Sequence, residues 1–275
     1  MTIQADVTLP RPITPAAAGA ANGAFLIVLR HWWVLRSGRP WALAVNGVFE
    51  PFLYLMSIGV GIGQLVGDVV GDGGQASSYA AFVAPALLAT SAMNSAVNET
   101  TNTVWFRLKF EKVYDAIITT PMTVADIAVG EVLSAMLRGA VAATCFFGVL
   151  AVLGLLHSWW ALLMIPATLL IAFAFAGAGL ATATFMKEFH HNQWVQLFML
   201  PMFLFATTFY PLSVYPEPLQ VIVACLPLYQ GTELLRALAL GTVTGGSVVA
   251  VVYLLVLGLL GLWIAARRLN RLLLI

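Results

Sequence analysis

The sequence predicts an all-α polytopic membrane protein, and three observations carry that prediction. Hydrophobic residues make up 61% of the 275 residues, charged residues only 9%, and the mean hydropathy is +0.93. Soluble domains are about 45–50% apolar and about 25% charged, which argues against a soluble enzyme or a disordered chain. The apolar residues gather into six segments, each of about the 20 residues that a bilayer core requires. Finally, Lys and Arg collect at one set of loop ends, as the positive-inside rule describes. A formal net charge of +1 offers no basic footprint for nucleic acid. Two cysteines, Cys145 and Cys225, cannot build a disulfide scaffold.

Residues 1–22 are polar and carry Pro10, Pro12 and Pro15. They lack a basic start followed by an apolar run and a small-residue cleavage site, so they read as a flexible cytoplasmic tail. Residues 25–36 are apolar but interrupted by Arg30, His31 and Arg36, with Trp32 and Trp33 between them. Aromatic rings beside basic groups favour the headgroup zone, which predicts an interfacial helix. One transmembrane domain is expected over 23–268, with spans at about 41–66, 79–104, 124–153, 159–186, 193–210 and 247–266, and a cytoplasmic tail over 269–275. Between the last two spans, 211–240 is broken by Pro211, Pro216, Pro218 and Pro227. Its halves, 219–226 and 231–240, are too short to cross a bilayer. A broken re-entrant hairpin buried against protein fits better.

Arg30, Arg36, Arg39, Arg107, Lys109, Lys112, Lys187, Arg267, Arg268 and Arg271 share one side, while the opposite loops hold Asp68, Asp72, Glu217 and Arg236. Both termini are therefore expected in the cytoplasm.

On that side, Phe110, Val113, Tyr114, Ile117 and Ile118 follow the spacing of one helix face, with Lys109, Glu111, Lys112 and Asp115 on the other. A single amphipathic helix over 108–118 is predicted, stopped by Thr119, Thr120 and Pro121. Thr123 and Asp126 form a capping pattern that starts span three. This helix reads either as a membrane-surface connector or as a docking helix for a cytoplasmic partner.

Several polar groups lie within the apolar segments. Asn46 and Glu50 belong to span one. Asn94, Asn98, Glu99 and neighbouring Ser and Thr residues belong to span two, and Glu131, Ser134 and Arg138 to span three. Such groups normally face a bundle interior or a wet cavity. Glu50 and Glu99 can serve a transport pathway or meet headgroups and water near the boundary. Glu131 and Arg138 can neutralise each other or a neighbouring helix. Gly59 with Gly63, and Ala174 with Ala178, offer small surfaces for helix approach.

No Gly precedes a Lys in the manner of a phosphate-binding loop. His190, His191 and Glu188 place no third ligand by spacing and read as a loop beside Lys187. No Ser–His–Asp constellation is apparent.

The segment order resembles the ABC-2 type permeases, and within them the nodulation-protein-J branch of lipo-oligosaccharide and drug exporters. The quotable stretches are 46–55 (NGVFEPFLYL), 89–94 (ATSAMN), 126–133 (DIAVGEVL), 209–213 (FYPLS) and 226–238 (LPLYQGTELLRAL). Gln230 stands where the signature leads one to expect His. His changes charge near neutral pH and Gln does not, which weakens any pH-sensitive external gate.

The resemblance implies a permease subunit rather than an enzyme, in a bacterial inner membrane. It implies a separate ABC ATP-binding subunit that carries ATP and Mg, and a second permease copy or paralogue in a 2+2 assembly. No cofactor is expected on this chain. The coupling helix, with Phe110, Glu111, Lys112, Val113, Tyr114, Asp115 and Ile117, would dock the ATPase. Asn46, Glu50, Asn94, Asn98, Glu99, Thr207 and Thr208 would line the substrate path. Tyr210, Pro211, Tyr229 and Gln230 would belong to an external gate. An amphipathic cargo suits such a route: a lipid-linked saccharide, a glycolipid or an apolar drug. The rival reading is an ion-gradient-driven secondary transporter, compatible with the broken segment and with Glu50 and Glu99. A lipid-processing membrane enzyme lacks a convergent set of groups.

Overall fold

A computed structural model describes residues 20–37, 49, 52–63, 68–70, 76–155 and 158–273. The chain runs α1 (Ala20–Ser37), α2 (52–63), β1 (Asp68–Val70), β2 (Ala76–Ser78), α3 (Tyr79–Lys109) and α4 (Val113–Ile118). It continues through α5 (Val124–Val152), α6 (Trp159–Phe185), α7 (Asn192–Phe205), α8 (Glu217–Ala224), α9 (Pro227–Leu240) and α10 (Gly245–Leu273). The antiparallel pair β1–β2 is the one departure from an all-α chain among the described residues.

Local chemistry sets the helix starts. The Ser78 hydroxyl accepts from the Ala81 amide and opens α3. Thr123 and Asp126 form a reciprocal capping box that opens α5. Ser158 caps the tight turn that leads into α6. Gly241, with φ +77°, supplies the left-handed residue that ends α9.

Among the described residues, α3, α5, α6 and α10 are long and apolar enough to cross a membrane. The pair α8–α9 meets the same test only when taken as one span, and it bends by 85°. Six full spans are therefore not what the described residues display. Half of the first segment, including Asn46 and Glu50, lies outside them. The fifth corresponds to α7, whose 14 residues reach about 21 Å against a hydrocarbon core of about 30 Å. The chain turns at Thr207, which has φ +54°, and the Thr208 hydroxyl donates back to the Phe203 carbonyl at 2.9 Å.

The core lies between α3, α5 and α6, with α10 laid along α6. The last contact is backbone against backbone: a Cβ on Gly261 would overlap the Gly177 carbonyl carbon and the Ala178 nitrogen. Small residues permit this approach, and dispersion between close backbones holds helices together where lipid removes the hydrophobic drive. Ala174 is buried in that seam.

The bend between α8 and α9 frees carbonyls, and side chains satisfy them. Gln230 donates to the Ala224 carbonyl at 2.7 Å and the Tyr253 hydroxyl to the Cys225 carbonyl at 2.8 Å. Arg236 anchors α9. Its guanidinium lies 3.8 Å over the Phe82 ring, donates to the Thr207 carbonyl at 2.9 Å and pairs with Glu233. At the other end of the bundle, Trp105 donates to the Met186 carbonyl and Arg268 stacks over Phe185. Arg107, Lys109, Lys187 and Arg268 thus share one basic end.

A candidate transport cavity and a buried charge network

The predicted single helix over 108–118 is broken. α3 ends at Lys109, Phe110–Lys112 form a turn, and Lys112 takes a left-handed conformation with φ +48° before α4 begins. A non-glycine residue in that region cannot continue a right-handed helix. The break separates the predicted apolar face. Phe110 is 67% exposed, stacked on Phe106 at 5.0 Å and edge-on to Trp105 at 5.6 Å. Tyr114 is 1% exposed and points into the bundle. Val113 and Ile117 are half-buried, whereas Glu111, Lys112, Asp115 and Ala116 face outward. The accessible surface of α4 is therefore its polar side.

Beneath α4 lies a network that pairing of antiparallel helices creates. α3 carries Glu99 and Arg107 about two turns apart, and α5 carries Glu131 and Arg138 at nearly the same spacing. The short α4 connection turns α5 back along α3, so each acid meets the other helix's base. Arg138 donates to Glu99 Oε2 and Arg107 to Glu131 Oε2, both at 2.7 Å. Arg107 Nη2 also lies 3.9 Å from Glu99 Oε1. The Tyr114 hydroxyl donates to Glu131 Oε1 at 3.0 Å, and Thr103 Oγ1 to Glu99 Oε2 at 3.3 Å. Two carboxylates and two guanidiniums balance, as buried charges require. Burial pushes the Tyr114 hydroxyl well above the ordinary tyrosine range, as does the adjacent Glu131 carboxylate.

His31 of α1 completes the group. Its Nδ1 donates to the Ile27 carbonyl at 2.8 Å, and its Nε2 lies 3.8 Å from Glu131 Oε2. Burial, followed by the Arg107 charge, lowers its pKa to about 4. The nearby carboxylate would favour the imidazolium, but Arg107 already neutralises that oxygen. A His held neutral in the fold favours unfolding as protons are taken up. Its stabilising effect is present above the ordinary value of 6.5 and is lost as pH falls through about 4. A His31→Gln variant is expected to show a flatter decline of melting temperature between pH 6.5 and 4, checked by thermal unfolding across that range.

Above the network opens a cavity of 630 Å³ between α2, α3, α5 and α7. One wall is a polar stripe of α3: Thr90, Ser91, Asn94, Ser95, Asn98 and Asn102, at the spacing of one helix face. The other wall is Tyr54, Met199, Leu200 and Phe203. Gln196 of α7 donates to Asn98 Oδ1 at 2.9 Å across it. Glu99 and Arg138 form its charged floor. A π-helical turn at Glu99–Thr103 shifts the register there, a feature frequent at functional sites.

Of the residues named from sequence for the path, Asn94, Asn98 and Glu99 meet in this cavity. Thr207 and Thr208 are buried at the turn after α7, away from it. Tyr229 and Gln230 line a separate cavity of 510 Å³ with Arg236. Tyr210 packs on Tyr215 at 5.3 Å. His190 pairs with Glu188 at the surface. Sequence reasoning passed over Arg107 except as a topology signal, and over Gln196 and His31. The matched spacing of 99–107 and 131–138 was the available clue.

The ABC-2 type transporter family model matches residues 23–240. The chain belongs to the ABC-2 type transporter family. It is similar to nodulation protein J of Rhizobium leguminosarum bv. viciae, with 30% identity over 226 residues, 82% of this chain and 84% of that protein. Nodulation protein J of Rhizobium meliloti is 29% identical over 230 residues, 82% of this chain and 85% of the relative. That of Sinorhizobium fredii is 29% identical over 232 residues, covering 84% and 86%. The chain is thus an integral membrane transport subunit and not an enzyme, and its family implies a separate ATP-binding partner.

Proposed function

We propose that this ABC-2 chain is the permease half of an ATP-driven exporter for an amphipathic cargo. The cavity carries this reading. Amides and hydroxyls of α3 face the aromatic and aliphatic wall of α2 and α7, so a molecule with one polar and one apolar side finds both partners. A lipid-linked saccharide, a glycolipid or an apolar drug has that character.

The outer faces of α2 and α7 are apolar, with Trp194 67% and Phe198 78% exposed. A second permease copy would cover them and close the cavity into a path. The basic end, with the chain termini, faces the cytoplasm. There Glu111, Lys112, Asp115 and Ala116 form the surface that meets the ATPase, which carries ATP and Mg. At the opposite end, the α8–α9 hairpin with Tyr229 and Gln230, together with Tyr210 and Pro211, forms the external gate. Its anchor is Arg236.

The test is a pull-down in mild detergent with the genomic neighbours co-expressed. An ATP-hydrolysing subunit is expected to accompany the chain, and Glu111→Lys with Asp115→Lys is expected to reduce its recovery at least tenfold without changing the melting temperature. A folded chain that purifies without ATPase activity, and whose transport an uncoupler abolishes at once, would overturn the reading in favour of an ion-driven transporter.

A further inference from the structure

The cavity floor and the ATPase-facing helix are joined by one continuous set of charged contacts. Tyr114, the buried residue of α4, donates to Glu131 Oε1 at 3.0 Å. The other Glu131 oxygen holds Arg107 at 2.7 Å. The second arm of Arg107 lies 3.9 Å from Glu99 Oε1, a buried oxygen with no hydrogen-bond partner among the described residues. Glu99 Oε2 is held by Arg138 on the cavity floor.

This geometry leaves Arg107 between two acceptors. One carboxylate is satisfied by it, while the other has an empty oxygen within about 1 Å of hydrogen-bond reach. A buried acceptor without a donor is unfavourable, so a small excess on either side moves the guanidinium. The Tyr114 hydroxyl supplies that excess. While it donates to Glu131, that carboxylate needs only one arm of Arg107. When α4 moves and the hydroxyl leaves, both Glu131 oxygens need donors, and a guanidinium can supply both in its forked geometry. Arg107 then withdraws from Glu99, whose free oxygen is left to Arg138. The π-helical turn that starts at Glu99 gives this carboxylate a segment able to shift register.

We infer that Arg107 is a positioning residue that passes displacement of α4 to the Glu99–Arg138 pair on the cavity floor, by competition of Glu131 and Glu99 for one guanidinium. This rests on the permease reading above, because only a docked ATPase would drive α4.

The test uses the full chain with its ATP-binding partner in lipid nanodiscs. Cys145→Ser and Cys225→Ser remove the native thiols, both exposed, and Ser95→Cys places a reporter on the cavity wall. The readout is the labelling rate with a water-soluble maleimide, with and without ATP and vanadate. The parent is expected to change its rate about fivefold or more between the two states, the lower range of measured couplings. Glu131→Gln releases Arg107 to Glu99, and Glu99→Gln commits it to Glu131. The two variants are therefore expected to shift the nucleotide-free rate in opposite directions, each losing the nucleotide response. General loosening of the fold would move both the same way.

A parent that binds and hydrolyses ATP, with both variants shifted alike or responding to nucleotide as the parent does, overturns this inference alone. Absence of any ATP-binding subunit from the parent preparation overturns the permease reading with it. If Glu131→Gln fails to fold, Tyr114→Phe removes the hydroxyl alone. It is expected to shift the rate in the direction of Glu99→Gln, and the opposite shift overturns the inference.

Discussion

Arg107→Leu is expected to lower stability by about 3–5 kcal/mol, the usual effect of stripping one partner from a buried ion pair. The reason lies in what remains. One guanidinium of the network, Arg138, would remain for two carboxylates, and it pairs with Glu99. Glu131, with a side chain 3% exposed, would keep the hydrogen bond from Tyr114 but lose its one close guanidinium among the described residues, and the imidazole of His31, 3.8 Å away, is held neutral. The measurement is a thermal melt of the purified chain in detergent. The informative comparison is Arg107→Leu with Glu131→Gln. Neutralising the stranded carboxylate is expected to recover much of the loss. The non-additivity of the pair, taken through a double-mutant cycle, measures the coupling between α3 and α5. Additive effects would mean that the two groups do not act on each other.

Gly261→Ala is the second large effect, and it comes from packing. The added methyl would overlap the Gly177 carbonyl carbon and the Ala178 nitrogen, which are backbone atoms and cannot rotate aside. α6 and α10 must part, and overpacking of this kind typically costs about 1–3 kcal/mol. Gly148 of α5 provides the contrast, because among the described residues nothing beyond its own helix backbone and chain neighbours lies within 4 Å of a Cβ placed there. Gly148→Ala is expected to stabilise the chain by up to about 1 kcal/mol through helix propensity. Melting temperatures of the two variants should move in opposite directions. A fall of both would show that glycine serves α5 in some way other than packing.

Much of the fold was legible because membrane helices announce themselves by length and apolarity. The segment at 124–153 needed only its hydropathy and the Thr123–Asp126 cap, and the helix occupies Val124–Val152. The bent pair α8–α9 followed from four prolines. The single helix over 108–118 was misread because its spacing fits one helix face, while the left-handed Lys112 that breaks it leaves no mark in composition. Tyr114 and Phe110 lie on one face in the sequence pattern and on opposite sides of solvent access in the fold. α7 is shorter than its apolar run, because the turn at Thr207 depends on Arg236 of α9 taking its carbonyl. That contact links residues 29 positions apart.

By itself, the sequence determined that this chain is a membrane protein, where its four long apolar helices α3, α5, α6 and α10 run, and which end is basic. These are properties of segments taken one at a time, and lipid imposes them through the need to bury each backbone polar group within its own helix. The tertiary structure alone decided which charges meet. Four ionisable groups scattered over 40 residues became two ion pairs and a shared guanidinium only when α5 turned back along α3. The charge-assisted hydrogen bonds that close these pairs form only at about 2.7–2.9 Å, so partner choice belongs to packing geometry and not to position along the chain.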